Sequence, residues 1–140
     1  MKKMFKKKSN MVIISIVTVA LILSFSSVGL ALSKGYHFTI RTQVTGAYNK
    51  DLGNKGTKIT ASAKTIKDKD GTTLSQKHKY TVKIDKQWGI SSYNTGKLTT
   101  GSNYTKNFGK ITKGTYRVNV TKHTYSDYGI VIDGGGKITQ

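Results

Sequence analysis

"ITKGTYRVNVTK", residues 111–122, decides the fold class. A turn at Lys113 and Gly114 leads into strict alternation. Tyr116, Val118 and Val120 fall on one side; Thr115, Arg117, Asn119 and Thr121 fall on the other. Period two with one apolar face is the pattern of a half-buried β-strand. Lys110, Lys113 and Lys122 flank it, and the stretch holds no acid. Its outer face therefore offers only amide, hydroxyl and positive charge. What that face meets is the question the sequence poses.

The same period recurs outward from this strand. "YHFTIRTQVT" sets Phe38, Ile40 and Val44 on one face. "TKITASAKTI" sets Ile59, Ala61 and Ala63 against Lys58, Thr60, Ser62 and Lys64. "KHKYTVKIDKQW" turns Tyr80, Val82, Ile84 and Trp88 inward, and Lys79, Thr81, Lys83 and Asp85 outward. A weaker strand centres on Tyr104 and Phe108, and "YGIVIDG" and "GGKIT" close the chain. Turn formers punctuate these runs at 48–56, 68–71, 93–97, 99–103 and 112–114. "DGGGK" (133–137) reads as a flexible turn that folds the last strand back. Proline is absent, and Leu52, Leu74 and Leu98 are the only leucines after residue 33. Short strands at regular spacing with no helical period predict an antiparallel sandwich or barrel.

Two segments echo each other: "KYTVKIDKQ" (79–87) and "TYRVNVTKH" (115–123). Neighbouring core strands of one sandwich produce such an echo without duplication. "KGTYRVNV" also resembles the start of strand F in immunoglobulin-like and fibronectin-like sandwiches. There a tyrosine follows a tight turn, and its hydroxyl bonds back to the backbone. The resemblance gives Tyr116 that part. It implies a small antiparallel β-sandwich of that architecture, or a related barrel, and nothing about activity.

The first 33 residues read as a secretory signal peptide, with residues 34–140 as one secreted β domain. "MKKMFKKKSN" is basic, a charge-free apolar stretch runs from Met11 to Leu32, and small residues mark the exit. Cleavage after Ala31 or after Ser33 fits; an uncleaved anchor is the alternative, since a bilayer takes about 20 apolar residues. With no cysteine, a lipid-modified lipoprotein and a disulfide scaffold are both excluded. With no proline, a proline-dependent sortase signal is excluded too. The 22 lysines against two arginines suit a Gram-positive organism of low GC content.

Removing the leader's five lysines leaves 19 basic residues against six aspartates and no glutamate, a net charge of +13. That exceeds the 2 to 8 or so that solubility asks of a small domain. Catalytic constellations are missing by contrast. Asp68 and Asp70, the only close carboxylate pair, sit in a lysine-flanked turn. The same "DKDG" is too poor in acids for a calcium loop. His37, His78 and His123 have no zinc-type spacing; His37 and His123 fall outward and His78 inward. No serine lies in a nucleophile elbow, and "DGGGK" lacks the helix of a phosphate cradle. The sequence therefore predicts no enzyme, no cofactor and no metal.

Lysines on outward strand positions point instead to polyanions. The candidate binding residues are Lys58, Lys64, Lys79, Lys83 and Arg117. The partners they fit are an anionic cell-wall polymer, an anionic membrane surface, or extracellular nucleic acid without sequence specificity. Eight tyrosines are available for stacking or sugar contacts. A bacteriocin-like or toxin-like protein acting on competing bacteria is an alternative reading, and an inhibitor or protein-binding module is another.

Overall fold

Eleven β-strands and no helix make up the described residues, 31–124 and 128–140, of the computed structural model. The expected leader lies outside them up to position 30. The strands are β1 (Ser33–Ile40), β2 (Gln43–Thr45), β3 (Lys50–Leu52), β4 (Gly56–Lys67), β5 (Thr73–Leu74), β6 (Lys79–Lys86), β7 (Ser92–Asn94), β8 (Leu98–Thr99), β9 (Asn103–Lys110), β10 (Gly114–Lys122) and β11 (Ile130–Thr139). All pairings are antiparallel, in two sheets. One runs β1–β11–β4, with β5 and β9 both on the far side of β4; the other runs from β2 and β3 through β10 and β6 to β7 and β8. Leu32–Gln140 is one compact unit.

The alternation in the sequence becomes the core. Ile59, Ala61 and Ala63 of β4 pack with Tyr80, Val82 and Ile84 of β6 and with Tyr116, Val118 and Val120 of β10. The Phe38 and Tyr80 rings, 5.8 Å apart, join the two sheets. The echo segments are neighbours: β6 and β10 pair from Tyr116 with Lys86 to Lys122 with Tyr80. The Tyr116 hydroxyl donates to the Thr112 carbonyl at 2.6 Å, as the strand-F resemblance implies. "DKDG" is a turn: Gly71, at φ 71°, donates its amide to Lys67, and Thr72 donates its amide to Asp70 at 3.0 Å.

Expectations are corrected at four places: residues 133–137, Val44, Trp88 and the 48–56 loop. "DGGGK" is no turn. Gly134, Gly135 and Gly136 lie inside β11, which is paired with β1 from Ile132 to Thr139 and lies between β1 and β4 in its sheet. A Cβ on Gly134 would come within 2.8 Å of the Phe38 ring, and one on Gly136 within 1.8 Å of the Thr60 carbonyl. The glycines are there because β1 and β4 crowd β11. Val44 is not core but 37% exposed. The chain leaves one sheet at Ile40 and joins the other at Gln43, so parity does not carry across. Trp88 is 85% exposed, because β6 ends at Lys86 and a hairpin loop takes over. The flank residue Lys122 keeps the inward parity of β10 and is buried, its Nζ 3.4 Å from the Ile130 carbonyl. The 48–56 loop also contains β3, whose Leu52 enters the core.

Candidate anion-binding surface

The five basic residues singled out in the sequence do not form one site. Lys58 and Lys64 stand on the outer face of β4, in the β1–β11–β4–β9 sheet. Lys79 and Lys83 of β6 and Arg117 of β10 stand on the outer face of the other sheet.

The second group answers the question raised by residues 111–122. The acid missing from β10 arrives from its neighbours. Register sets Asp85 of β6 opposite Arg117, and Asp51 of β3 opposite Thr115. Asp85 accepts from Ser92 at 2.7 Å and from the Asn119 amide, and lies 3.2 Å from the Lys83 ammonium and 4.0 Å from Arg117 Nε. Asp51 accepts from the Thr115 hydroxyl at 2.7 Å. The Arg117 guanidinium also lies 4.8 Å over the Tyr48 ring. Cross-strand pairs of this kind stabilise a sheet modestly, and here they consume its cations. Of the group, only Lys79 is outside this network.

Lys64 of the first group borders a concavity. On the outer face of the β11 sheet, Gly135 pairs with His37 on one side and Ser62 on the other, and Ser62 pairs with Asn103. A glycine and a serine at the centre of four strands leave an open trough of about 540 Å³. His37, Ser62, Lys64, Ser102, Asn103 and Asp133 line it, over the backbone of Gly134–Gly136. A second depression of about 300 Å³, lined by Thr60, Thr105 and Tyr104, shares the Ser62, Asn103, Gly135 and Gly136 wall. Asp133 is oriented by Thr39 at 2.7 Å and faces His37 Nε2 at 3.2 Å. Lys64, opposite Asp133, makes no ion pair among the described residues. Lys137, two residues beyond Gly135, shares its face by strand parity, and so does Lys58 with Ser62. The trough thus offers a carboxylate, hydroxyls and an amide with the Lys64 ammonium beside them, and Lys58 and Lys137 lie further along the same face.

Sequence parity identified Lys58 and Lys64 as outward. Lys137, Asp133, Asn103 and the Gly135 floor were missed, since "DGGGK" reads as a turn. The tyrosines are largely spent on structure: Tyr80 and Tyr116 are core, and Tyr36, Tyr93 and Tyr104 pack against it. Among the described residues no group of three or more acids, histidines or cysteines could hold a metal ion. His78 is buried as expected, its Nδ1 2.9 Å from the Thr124 hydroxyl, and His123 contacts Thr81 at 2.7 Å.

No family model matches the chain, and no curated protein matches it. A solved structure described as "Acidic stable capsid structure of Helicobacter pylori bacteriophage KHP30" aligns over 78% of this chain and 94% of its own, at 8% identity and a TM-score of 0.26.

Proposed function

We propose that this is a secreted, strongly basic, non-enzymatic protein that holds an anionic, hydroxyl-rich polymer of a Gram-positive cell envelope in the trough over Gly135. The observation that carries the reading is the trough's composition. Lys64 lines the trough beside Asp133, Ser62 and Asn103, Lys58 and Lys137 lie further along the same outer face by strand parity, and none of the three lysines makes an ion pair among the described residues. A polyol phosphate chain fits that pattern: phosphates meet the ammonium groups, and hydroxyls meet the carboxylate and amide. Nucleic acid fits less well, because no exposed aromatic platform lies in the trough for base stacking. The scaffold under this reading has immunoglobulin-like or fibronectin-like architecture with its own connection. The strand after Tyr116 crosses to the opposite sheet, where immunoglobulin strand G would pair with F.

The test is retention on immobilised polyglycerol phosphate against neutral dextran, over a range of salt. Binding is expected on the first only. Changing Lys58, Lys64 and Lys137 together to Gln should weaken it and lower the slope of log K against log salt by about 2. The matching triple change of Lys79, Lys83 and Arg117 should do much less, since Asp85 already holds two of the three. Equal loss from both triples, or retention that survives high salt, sinks the proposal.

A further inference from the structure

The β6–β7 hairpin presents its apolar residues to solvent. Trp88, the only tryptophan in the chain, is 85% exposed, and Ile90 is 101% exposed. The loop that carries them is fixed at its base: Lys86 donates its amide to Ser91 at 3.0 Å, and Gln87 donates its amide to Thr115 of β10 at 2.8 Å. Trp88 is the one non-glycine among the described residues with positive φ, at 58°, and Gly89 follows at 122°. Hairpin tips that only face water use Asn or Asp with Gly in this conformation, and a bulky residue there is an outlier. The two apolar side chains point into solvent from this turn.

Lysines surround the tip. Lys86 closes the loop, and its side chain lies where a Cβ on Gly114 would meet it at 2.5 Å; Lys113 is the next residue. Lys110 and Lys55 stand at the same end, where the Ile111 amide donates to the Lys55 carbonyl at 3.2 Å. Of the acids toward this end among the described residues, Asp85 at the base of the hairpin is engaged by Ser92 and Lys83, and Asp51 by Thr115. The chain also enters the domain here. Leu32 and Gln140 exchange backbone hydrogen bonds at 3.1 and 3.0 Å, and the Gln140 side chain accepts from the Gly53 amide at 2.8 Å.

We propose that this end of the domain docks onto an anionic lipid bilayer. Trp88 and Ile90 enter the boundary between headgroups and acyl chains, and Lys55, Lys86, Lys110 and Lys113 lie over the headgroups. Tryptophan favours that depth, and basic residues are drawn to an anionic leaflet. A hydrated polymer supplies charge but no apolar phase, so lipid is the occupant that accounts for both features. The docking uses a surface separate from the trough and stands independently of the polymer reading.

The experiment uses residues 32–140, which carry their own core, with vesicles of phosphatidylglycerol and phosphatidylcholine or of phosphatidylcholine alone. The single tryptophan reports directly. With the anionic vesicles its emission is expected to shift to the blue and to become shielded from an aqueous quencher. Ile90→Ser should weaken the shift, and Trp88→Ser with Ile90→Ser should reduce co-sedimentation by about tenfold or more. Neither change should alter retention on polyglycerol phosphate. Replacing the four lysines with Gln should abolish the preference for the anionic vesicles. Co-sedimentation without a change in emission overturns the inference and leaves the polymer reading standing. So does an absence of vesicle binding. A blue shift without polymer retention upholds the inference and overturns the polymer reading.

Discussion

The Tyr36 hydroxyl donates a hydrogen bond to the Thr60 carbonyl at 2.6 Å, although their strands are not neighbours. β11 lies between them, and the bond is possible because Gly136, Tyr36's register partner, has no side chain. The β11–β4 ladder skips Gly136 and Lys137 at this point. The Lys137 amide turns instead to the Thr60 hydroxyl at 2.9 Å. Above the glycines the Tyr36 and Phe38 rings stack, 6.3 Å apart and 12° from parallel. Aromatic rings from one strand thus cover the bare backbone of the next, and they leave the opposite face hollow as the trough.

That bond separates two tyrosines that otherwise look alike. Tyr36→Phe leaves the Thr60 carbonyl unpaired and should cost about 1 to 2 kcal/mol. Tyr80 is fully buried, and its hydroxyl has no hydrogen-bond partner among the described residues. Tyr80→Phe removes a desolvated polar atom and should be neutral or stabilising by about 1 kcal/mol. Urea unfolding of the two variants measures both; an equal loss from each would refute the assignment.

Glycine substitution tests the crowding of β11. Gly136→Ala drives a methyl into the Thr60 backbone and should destabilise by about 3 kcal/mol, or prevent folding. Gly56, in β4, has nothing within 4 Å of its Cβ position and no positive φ. Gly56→Ala should stabilise slightly, by about 0.5 kcal/mol, through the unfolded chain. If both alanines are tolerated alike, the glycines of β11 have some other purpose.

Alkali should unfold the domain in a defined window. Burial raises the Tyr80 and Tyr116 hydroxyls from 10 to about 12 and pushes Tyr36 higher still. The unfolded chain ionises them near 10, so their contribution is fully present below that pH and is lost as pH climbs toward and past 12. Tyr93 and Tyr104 move the other way, lowered by hydrogen bonds from Thr112 and Thr99 respectively. Phenolate absorbance should therefore rise in two phases, the second coincident with loss of the β signal in circular dichroism. Tyr93→Phe with Tyr104→Phe should delete part of the first phase. One phase centred on 10 contradicts the packing described.

The strands that read clearly were those with one buried face and an unbroken period. Ile59 to Ala63, Tyr80 to Ile84 and Tyr116 to Val120 are core, as their spacing requires. Legibility ended where a residue's meaning is set by distant chain. Gly134–Gly136 carry the same letters in a turn as in a crowded strand, and Tyr36 and Phe38, about a hundred residues earlier, decide between them. Val44 and Trp88 keep the inward parity of the runs they follow, but a change of sheet and a hairpin loop intervene. Outward lysines were visible by parity. Their separation onto two faces was not, because it depends on strand order. Nor was the neutralising role of Asp85, which depends on register between strands 30 residues apart.

Asp85 provides the sharpest test of which face binds. It engages Lys83, Arg117, Asn119 and Ser92, and it is the only acid on the outer face of β6. Asp85→Asn keeps the shape but removes the charge that holds two cations. Stability should fall by about 1 kcal/mol, because partly exposed ion pairs contribute little and the amide can still accept from Ser92. Binding to polyglycerol phosphate should rise, and the salt dependence should steepen, because Lys83 and Arg117 then join Lys79 as free cations on a second face. In the Lys58, Lys64 and Lys137 triple-Gln background the same change should restore part of the lost binding. If Asp85→Asn leaves binding unchanged in both backgrounds, cross-strand neutralisation is not what silences that sheet. Any preference of the polymer for the trough would then rest on its shape rather than on free lysine charge.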